Sequence, residues 1–158
     1  MGVEIERKFL LAGDAWRGQG QAIPMRQGYL CSDPERTVRV RIEGGRAVIT
    51  IKSKGNGVRR GEWEYAIPVA DAAELLDGLC EQPLVEKTRH RIAIGAHVWE
   101  VDEFAGENAG LVVAEIELGS EDEAFDKPDW IGREVTGDRR YYNASLIRLP
   151  YSQWKDQA

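Results

Sequence analysis

The sequence predicts an α+β protein built on an eight-stranded antiparallel β-barrel, closed on itself, with a few short helices outside and one helix at the C-terminus. Three observations lead there. Eight short runs alternate side chains of two kinds, the period of a strand whose two faces differ. Only two or three short segments carry helical signals, too few to cover a wide open sheet, and closing the sheet removes its edges. Seven of the eight runs also place charges at i and i+2 opposite an apolar face: residues 4, 6 and 8, then 39/41, 52/54, 62/64, 87/89, 100/102 and 115/117.

The first strand, Val3 to Leu10, sets the pattern. Glu4, Glu6 and Lys8 share one face, and Val3, Ile5 and Phe9 share the other, with Arg7 as the exception. Gly13 to Gln21 is a polar, glycine-rich loop with a helical turn around Trp16. Strand two, Ile23 to Leu30, puts Gln27 and Tyr29 on one face, and Asp33-Pro34-Glu35 signals a turn. Strand three, Thr37 to Glu43, aligns Arg39, Arg41 and Glu43 against Val38, Val40 and Ile42. Gly44-Gly45 suits a two-residue hairpin into strand four, Arg46 to Lys54, where Thr50, Lys52 and Lys54 oppose Ala47, Ile49 and Ile51.

Gly55-Asn56-Gly57 reads as a loop suited to a lid or a plain turn. Strand five, Arg60 to Pro68, aligns Glu62 and Glu64 against Trp63, Tyr65 and Ile67. Asp71 is expected to cap a helix, Ala72 to Cys80, with Leu75, Leu76 and Leu79 as its apolar stripe. Strand six, Leu84 to Ile94, carries Lys87, Arg89 and Arg91 on one side. Gly95-Ala96 turns the chain into strand seven, His97 to Phe104, with Glu100 and Asp102 against Trp99 and Val101. Strand eight, Leu111 to Leu118, opposes Glu115 and Glu117 to Val112, Ala114, Ile116 and Leu118. Ser120-Glu121-Asp122-Glu123 reads as a helix start, and a final helix is expected from Asp138 to Ile147.

The 158 residues show no repeat, linker or low-complexity stretch and are read as one domain, 1–158. A net charge of −6 argues against a nucleic-acid surface driven by overall charge. No apolar run has the ~18 residues of a membrane span, and no basic segment followed by an apolar stretch opens the chain. Cys31 and Cys80 form no CxxC and suit a reducing compartment, so a cytoplasmic protein is expected. His90 and His97 do not make a zinc site, so any divalent metal would be held by carboxylates, which favours Mg²⁺, Mn²⁺ or Ca²⁺.

Parity alone leaves two barrels open. Trp63, Trp99, Val112 and Ile116 would fill a small barrel with its charges in water, or the charges would line a tunnel with the apolar exterior covered by helices and loops. The sorting of sign favours the second. Solvated faces mix Lys and Glu, whereas strands three, four and six are basic and strands five, seven and eight acidic. Like charges gathered in a lumen call for a neutralising ligand, and a polyphosphate with divalent metal satisfies both signs.

The ordered motifs resemble those of a known family. Glu4-x-Glu6-x-Lys8 resembles the ExExK signature of the CYTH superfamily, the triphosphate tunnel metalloenzymes. Arg26-Gln27-Gly28-Tyr29-Leu30, Val38-Arg39-Val40-Arg41, Thr50-Ile51-Lys52, Glu62-x-Glu64, Val85-Glu86-Lys87-Thr88-Arg89, Glu100-Val101-Asp102 and Ala114-Glu115-Ile116-Glu117 follow in order, as do Glu134-Val135-Thr136 and Arg140-Tyr141-x-Asn143. The resemblance covers nearly the whole chain and is to the short, single-domain bacterial members. It implies an eight-stranded tunnel that binds a triphosphate along its length and needs Mg²⁺ or Mn²⁺. Members include inorganic, thiamine and RNA triphosphatases and class IV adenylate cyclases.

For this chain the resemblance implies a metal-dependent inorganic triphosphatase acting on a small-molecule triphosphate. The alternatives are a thiamine or nucleoside triphosphatase, a cyclase, or a non-catalytic polyphosphate binder. Lys8, Arg39, Arg41, Lys52, Lys87 and Arg89 would clamp phosphate oxygens, with Lys54 and Arg91 at the tunnel mouth and Arg139 or Arg140 reaching in from the closing helix. Glu4, Glu6, Glu115 and Glu117 are the leading metal ligands, with Glu62, Glu64 and Asp102 as further candidates. Glu6 and Lys8 would act at the reacting phosphate, and Tyr29 would modulate the attacking water or a catalytic lysine.

Overall fold

The computed structural model describes residues 2–157. Nine strands form one antiparallel sheet: β1 (Gly2–Leu11), β2 (Gln21–Asp33), β3 (Arg36–Glu43), β4 (Arg46–Ser53), β5 (Arg59–Ile67), β6 (Val85–Ile94), β7 (His97–Phe104), β8 (Val112–Glu117) and β9 (Ile131–Glu134). The order β5-β4-β3-β2-β6-β7-β8-β1 closes through a β5–β1 pairing, giving an eight-stranded barrel. β1 serves two neighbours along one edge. Gly2 to Ile5 pair with β5, and beyond them Phe9 and Leu11 pair with β9.

The charged faces point inward. Outward residues of β1, β6, β7 and β8 form one core around Phe9, Trp99, Val101 and Ile116, covered by Trp16 and by the β8–β9 connection carrying Phe125 and Trp130. Trp99 lies at its centre, with edge-on rings of Phe9 at 5.5 Å, Phe125 at 5.8 Å and Trp130 at 6.1 Å. On the opposite side α1 (Val69–Gly78) lays Ala72 and Leu76 over Val40 and Ala47. Gly28 of β2 permits that approach, because a Cβ there would stand 2.6 Å from Leu84 and 3.2 Å from Leu76. The barrel with an apolar filling and charges in water is thereby ruled out.

A third core closes one end of the barrel. After β9 a 3-10 turn (Arg139–Tyr141) and α2 (Asn143–Leu146) fold over the opening, packing Tyr141, Leu146, Ile147 and Trp154 on Tyr29, Val85, Phe104 and Val113. This tail corrects the single helix expected from Asp138 to Ile147: Tyr142 is extended (φ −71°, ψ 135°) and splits it. No helix starts at Ser120, whose hydroxyl bonds Asp122 while Glu123 turns back to the Gly119 amide. Asp71 lies in the first turn of α1 and Pro68 occupies the cap position. β9 was not expected from the sequence. No described helix is long and apolar enough to cross a membrane.

Trp99→Ala should remove the fully buried indole at the centre of the first core. It is expected to destabilise the fold by about 3–5 kcal/mol, read as a lower urea midpoint with an unchanged slope.

Candidate active site

Inward residues of the strands line a cavity of about 630 Å³. The C-terminal plug covers one end, and Glu43, Arg46, Glu64, Arg91 and Glu100 lie toward the other. The walls differ in sign because most strands present mainly one kind of charge to the cavity, with exceptions such as Lys8 on β1 and Glu43 on β3.

β3 supplies the basic wall. Arg39 and Arg41 are 8% and 7% exposed. Arg41 donates through Nε to Gln27 Oε1 at 3.0 Å, while Arg39 reaches Thr50 Oγ1 at 3.5 Å and its Nε has no partner. Among the described residues neither guanidinium has a carboxylate within ion-pair distance. Burial, and then the charges of Arg39 and Arg89, push Arg41 down to about 9. Two buried cations without a counter-ion are a demand for an anion.

The acidic wall comes from β1, β5 and β8. Lys52 lies between Glu4 at 2.6 Å and Glu62 at 3.5 Å, and Lys8 stands 3.6 Å from Glu115. The carboxylates are crowded enough to share protons. Burial, together with the charges of Glu115 and Glu4, holds Glu6 well above the usual carboxylate range. Burial would also raise Glu115, but Lys8, Arg89 and the bond from Glu6 outweigh it and hold it low. Glu62 is pushed up to about 7 by its hydrogen bond to Glu4, by burial and by the Glu4 charge. Burial opposes ionisation of Glu4 too, yet Lys52, Glu62 and Arg60 hold it low. Burial and the charges of Glu4 and Glu100 raise Glu117.

A cation at these crowded pairs would relieve the same repulsion. No three described side chains form a ready metal cage.

Most expected residues line the cavity: Glu4, Glu6 and Lys8 from β1; Tyr29, Arg39, Arg41 and Lys52 from β2 to β4, with Lys54 just past β4; Glu62 and Glu64 from β5; Arg89, Glu115, Glu117 and Arg139 beyond. Lys54 is half exposed at the rim and pairs with Glu35 at 3.4 Å. Tyr29 also packs in the plug core.

Three expected residues do not line it, and their places are corrected. Asp102 is fully buried between Arg89 (Nε–Oδ1, 2.8 Å) and Lys87 (Nζ–Oδ2, 2.8 Å), so its oxygens are committed as counter-ions rather than open to a metal. Burial opposes its charge, but Arg89 and Lys87 hold it at about 2. Lys87 has no side-chain exposure and also donates to Asn143 Oδ1 at 3.3 Å. Burial and the nearby guanidiniums of Arg89 and Arg41 lower it to about 7, against the pull of Asp102. Arg140 folds back on Asp138 at 2.7 Å and over the Tyr141 and Trp154 rings.

Other lining residues had no place among the expected ligands. Glu43, Arg60 and Glu100 share the inward parity of their strands and were findable by it, while Arg91, expected at the mouth, pairs with Glu43 at 3.4 Å and Glu100 at 3.2 Å. Tyr142, Asn143 and Arg148 come from the plug, whose tail has no strand period. The plug is tied to the charged layer, since Lys8 Nζ donates to the Tyr141 carbonyl at 3.1 Å. The Gly55-Asn56-Gly57 loop is a built turn, with Asn56 Oδ1 accepting from the Val58 and Arg59 amides at 3.0 and 2.7 Å.

Residues 2–146 match the CYTH domain. The chain is 49% identical over 156 residues to the inorganic triphosphatase of Acetivibrio thermocellus, covering 99% of this chain and all of that one. It is 42% identical over 147 residues to the inorganic triphosphatase of Nitrosomonas europaea, with 90% and 95% covered. It superposes on the crystal structure of the inorganic triphosphatase NE1496 with a TM-score of 0.66 at 39% identity, covering 93% and 95%. A putative adenylate cyclase from Bacillus halodurans shares the fold at 16% identity, with a TM-score of 0.62 over 77% and 84% of the two chains.

Asp102→Asn would leave Arg89 and Lys87 buried without their counter-charge, at an expected cost of ~3–5 kcal/mol, read as a lower melting temperature. Asp102 is depressed, so its contribution is complete above its ordinary value of about 3.9 and is lost as pH falls through about 2. The melting temperature of the wild type should therefore fall more steeply between those pH values than that of the variant.

Proposed function

The chain belongs to the CYTH domain family, and from that premise we propose that it is a metal-dependent hydrolase of inorganic triphosphate, releasing pyrophosphate and phosphate. The observation that carries this reading is the pair of buried guanidiniums on β3, Arg39 and Arg41, facing carboxylates of β1, β5 and β8 across one cavity. A polyanion neutralises the first wall, and a cation bridging it to the second neutralises the other. An anion binder alone would not call for the facing carboxylates.

Arg39 and Arg41 present planar forks to phosphate oxygens, and Lys8 and Lys52 act as point charges beside them. Arg89, held by Asp102, adds a fixed guanidinium. Glu4, Glu6, Glu115 and Glu117, with Glu62 and Glu64 nearby, are the groups that would hold Mg²⁺ or Mn²⁺. When bound, the metal supplies charge neutralisation on the phosphates and a more acidic water. Phosphoryl transfer through a loose transition state asks for placement and charge stabilisation, which preformed groups of fixed sign provide. Tyr29 stands at the plug end, where it would steer water. The small-molecule substrate and the free cysteines, Cys31 and Cys80, fit a cytoplasmic enzyme.

Phosphate release tests this across tripolyphosphate, pyrophosphate, ATP and thiamine triphosphate with Mg²⁺, with Mn²⁺ and with chelator. Tripolyphosphate should have the highest kcat/KM, because pyrophosphate cannot engage the whole basic wall and an organic group must be accommodated at the mouth. Chelator should abolish release. A lead of tenfold or more for ATP or thiamine triphosphate, or formation of cyclic AMP, would overturn the assignment.

Glu6→Gln keeps shape and removes the carboxylate that would ionise on holding a metal. Activity should drop by orders of magnitude with the fold retained, and raising the metal concentration should recover part of it. Wild-type rates at low metal would show that Glu6 holds no ion.

A further inference from the structure

Resting on that reading, we propose that Gln27 is a positioning residue that keeps Arg41 free of a counter-charge and aims its terminal nitrogens at the triphosphate. Gln27 lies on the inward face of β2, directly opposite Arg41 in the β2–β3 register, and is completely buried. Arg41 lines the cavity, whereas Gln27 stands behind it. Their contact, Arg41 Nε to Gln27 Oε1 at 3.0 Å, fixes the amide without ambiguity. A guanidinium only donates, so the oxygen must face it and the NH₂ must point away. That NH₂ is buried and has no partner.

The arrangement is unfavourable for the ligand-free fold, because a buried donor is left unsatisfied and a buried cation is left unpaired. The same barrel contains the alternative. Arg89 faces Asp102 across the β6–β7 register, and that carboxylate takes Nε at 2.8 Å and Nη2 at 2.9 Å. Asp102 thus pairs with Arg89 and occupies one of its terminal nitrogens, and Glu100 stands 3.3 Å from the other. At Arg41 an amide replaces the carboxylate. It holds Nε, which fixes the plane of the guanidinium, and leaves both terminal nitrogens and the full positive charge for an incoming phosphate. A glutamate at this position would make the ligand-free protein more comfortable and the anion site weaker. Opposite effects on stability and binding distinguish this role from simple packing.

The test measures the melting temperature without ligand, the affinity for tripolyphosphate by calorimetry without metal, and kcat and KM with metal. It compares wild type, Gln27→Glu and Gln27→Met. Gln27→Glu should bind tripolyphosphate at least about tenfold more weakly and raise KM, with a ligand-free melting temperature equal to or above wild type. Gln27→Met, which removes the acceptor and adds no charge, should weaken binding less and lower the melting temperature. Unchanged affinity in Gln27→Glu overturns the proposal. So does a parallel loss of stability and affinity in both variants, which would mark a packing role only. A wild type that binds tripolyphosphate but releases no phosphate would overturn the hydrolase reading and leave Gln27 in its role. Hydrolysis with an unchanged KM in Gln27→Glu would do the reverse.

Discussion

Arg39 and Arg41 sit inside the barrel with no carboxylate beside them, and the rest of the molecule is arranged around keeping them there. The chain carries 27 acids to 21 Lys and Arg, a net charge of −6, yet the acids do not reach these two groups. The sheet itself separates the signs. Because β3 follows β2 and precedes β4, its arginines have Gln27 and Thr50 as inward neighbours, while the acids enter from β1, β5, β7 and β8. The cavity between keeps the two walls apart until a ligand joins them.

An interior of this kind contributes little to folding, so stability has to come from outside the barrel. The outer face of one half is sealed by the Trp99-centred aromatic cluster, and the other by α1 over Val40 and Ala47. The plug adds a third core at one end, with Tyr141, Leu146 and Trp154 packed on the ends of β2, β6 and β7. The Lys87–Asp102–Arg89 cluster lies between the two regimes: interior in position, structural in its pairing. Of its three members only Arg89 lines the cavity, held there by Asp102.

The strands and the direction of their faces were legible because period-two alternation is a direct consequence of strand geometry. Val3 to Leu10 shows it plainly: Glu4, Glu6 and Lys8 line the cavity while Ile5 and Phe9 pack outside. Parity also explains what it could not tell. It places Asp102 and Glu100 alike, but only the register shows that Asp102 falls opposite Arg89 and is consumed by it. β9 is four residues long, too short to establish a period. The plug has no period at all, so Tyr142 and Asn143 reach the cavity through tertiary packing that the sequence does not announce. Gln27 was placed on the right face, but its meaning depends on which nitrogen of Arg41 it holds.

The most direct measurement of the central claim is the melting temperature of Arg39→Met/Arg41→Met with and without tripolyphosphate. If the two arginines are retained for an anion at the expense of the fold, the double variant without ligand should melt at or above the wild-type temperature, since apolar replacement of a poorly compensated buried charge is neutral or stabilising. Tripolyphosphate should raise the wild-type value by mass action and leave the variant unmoved. A variant that melts well below wild type and still gains stability from tripolyphosphate would contradict the account.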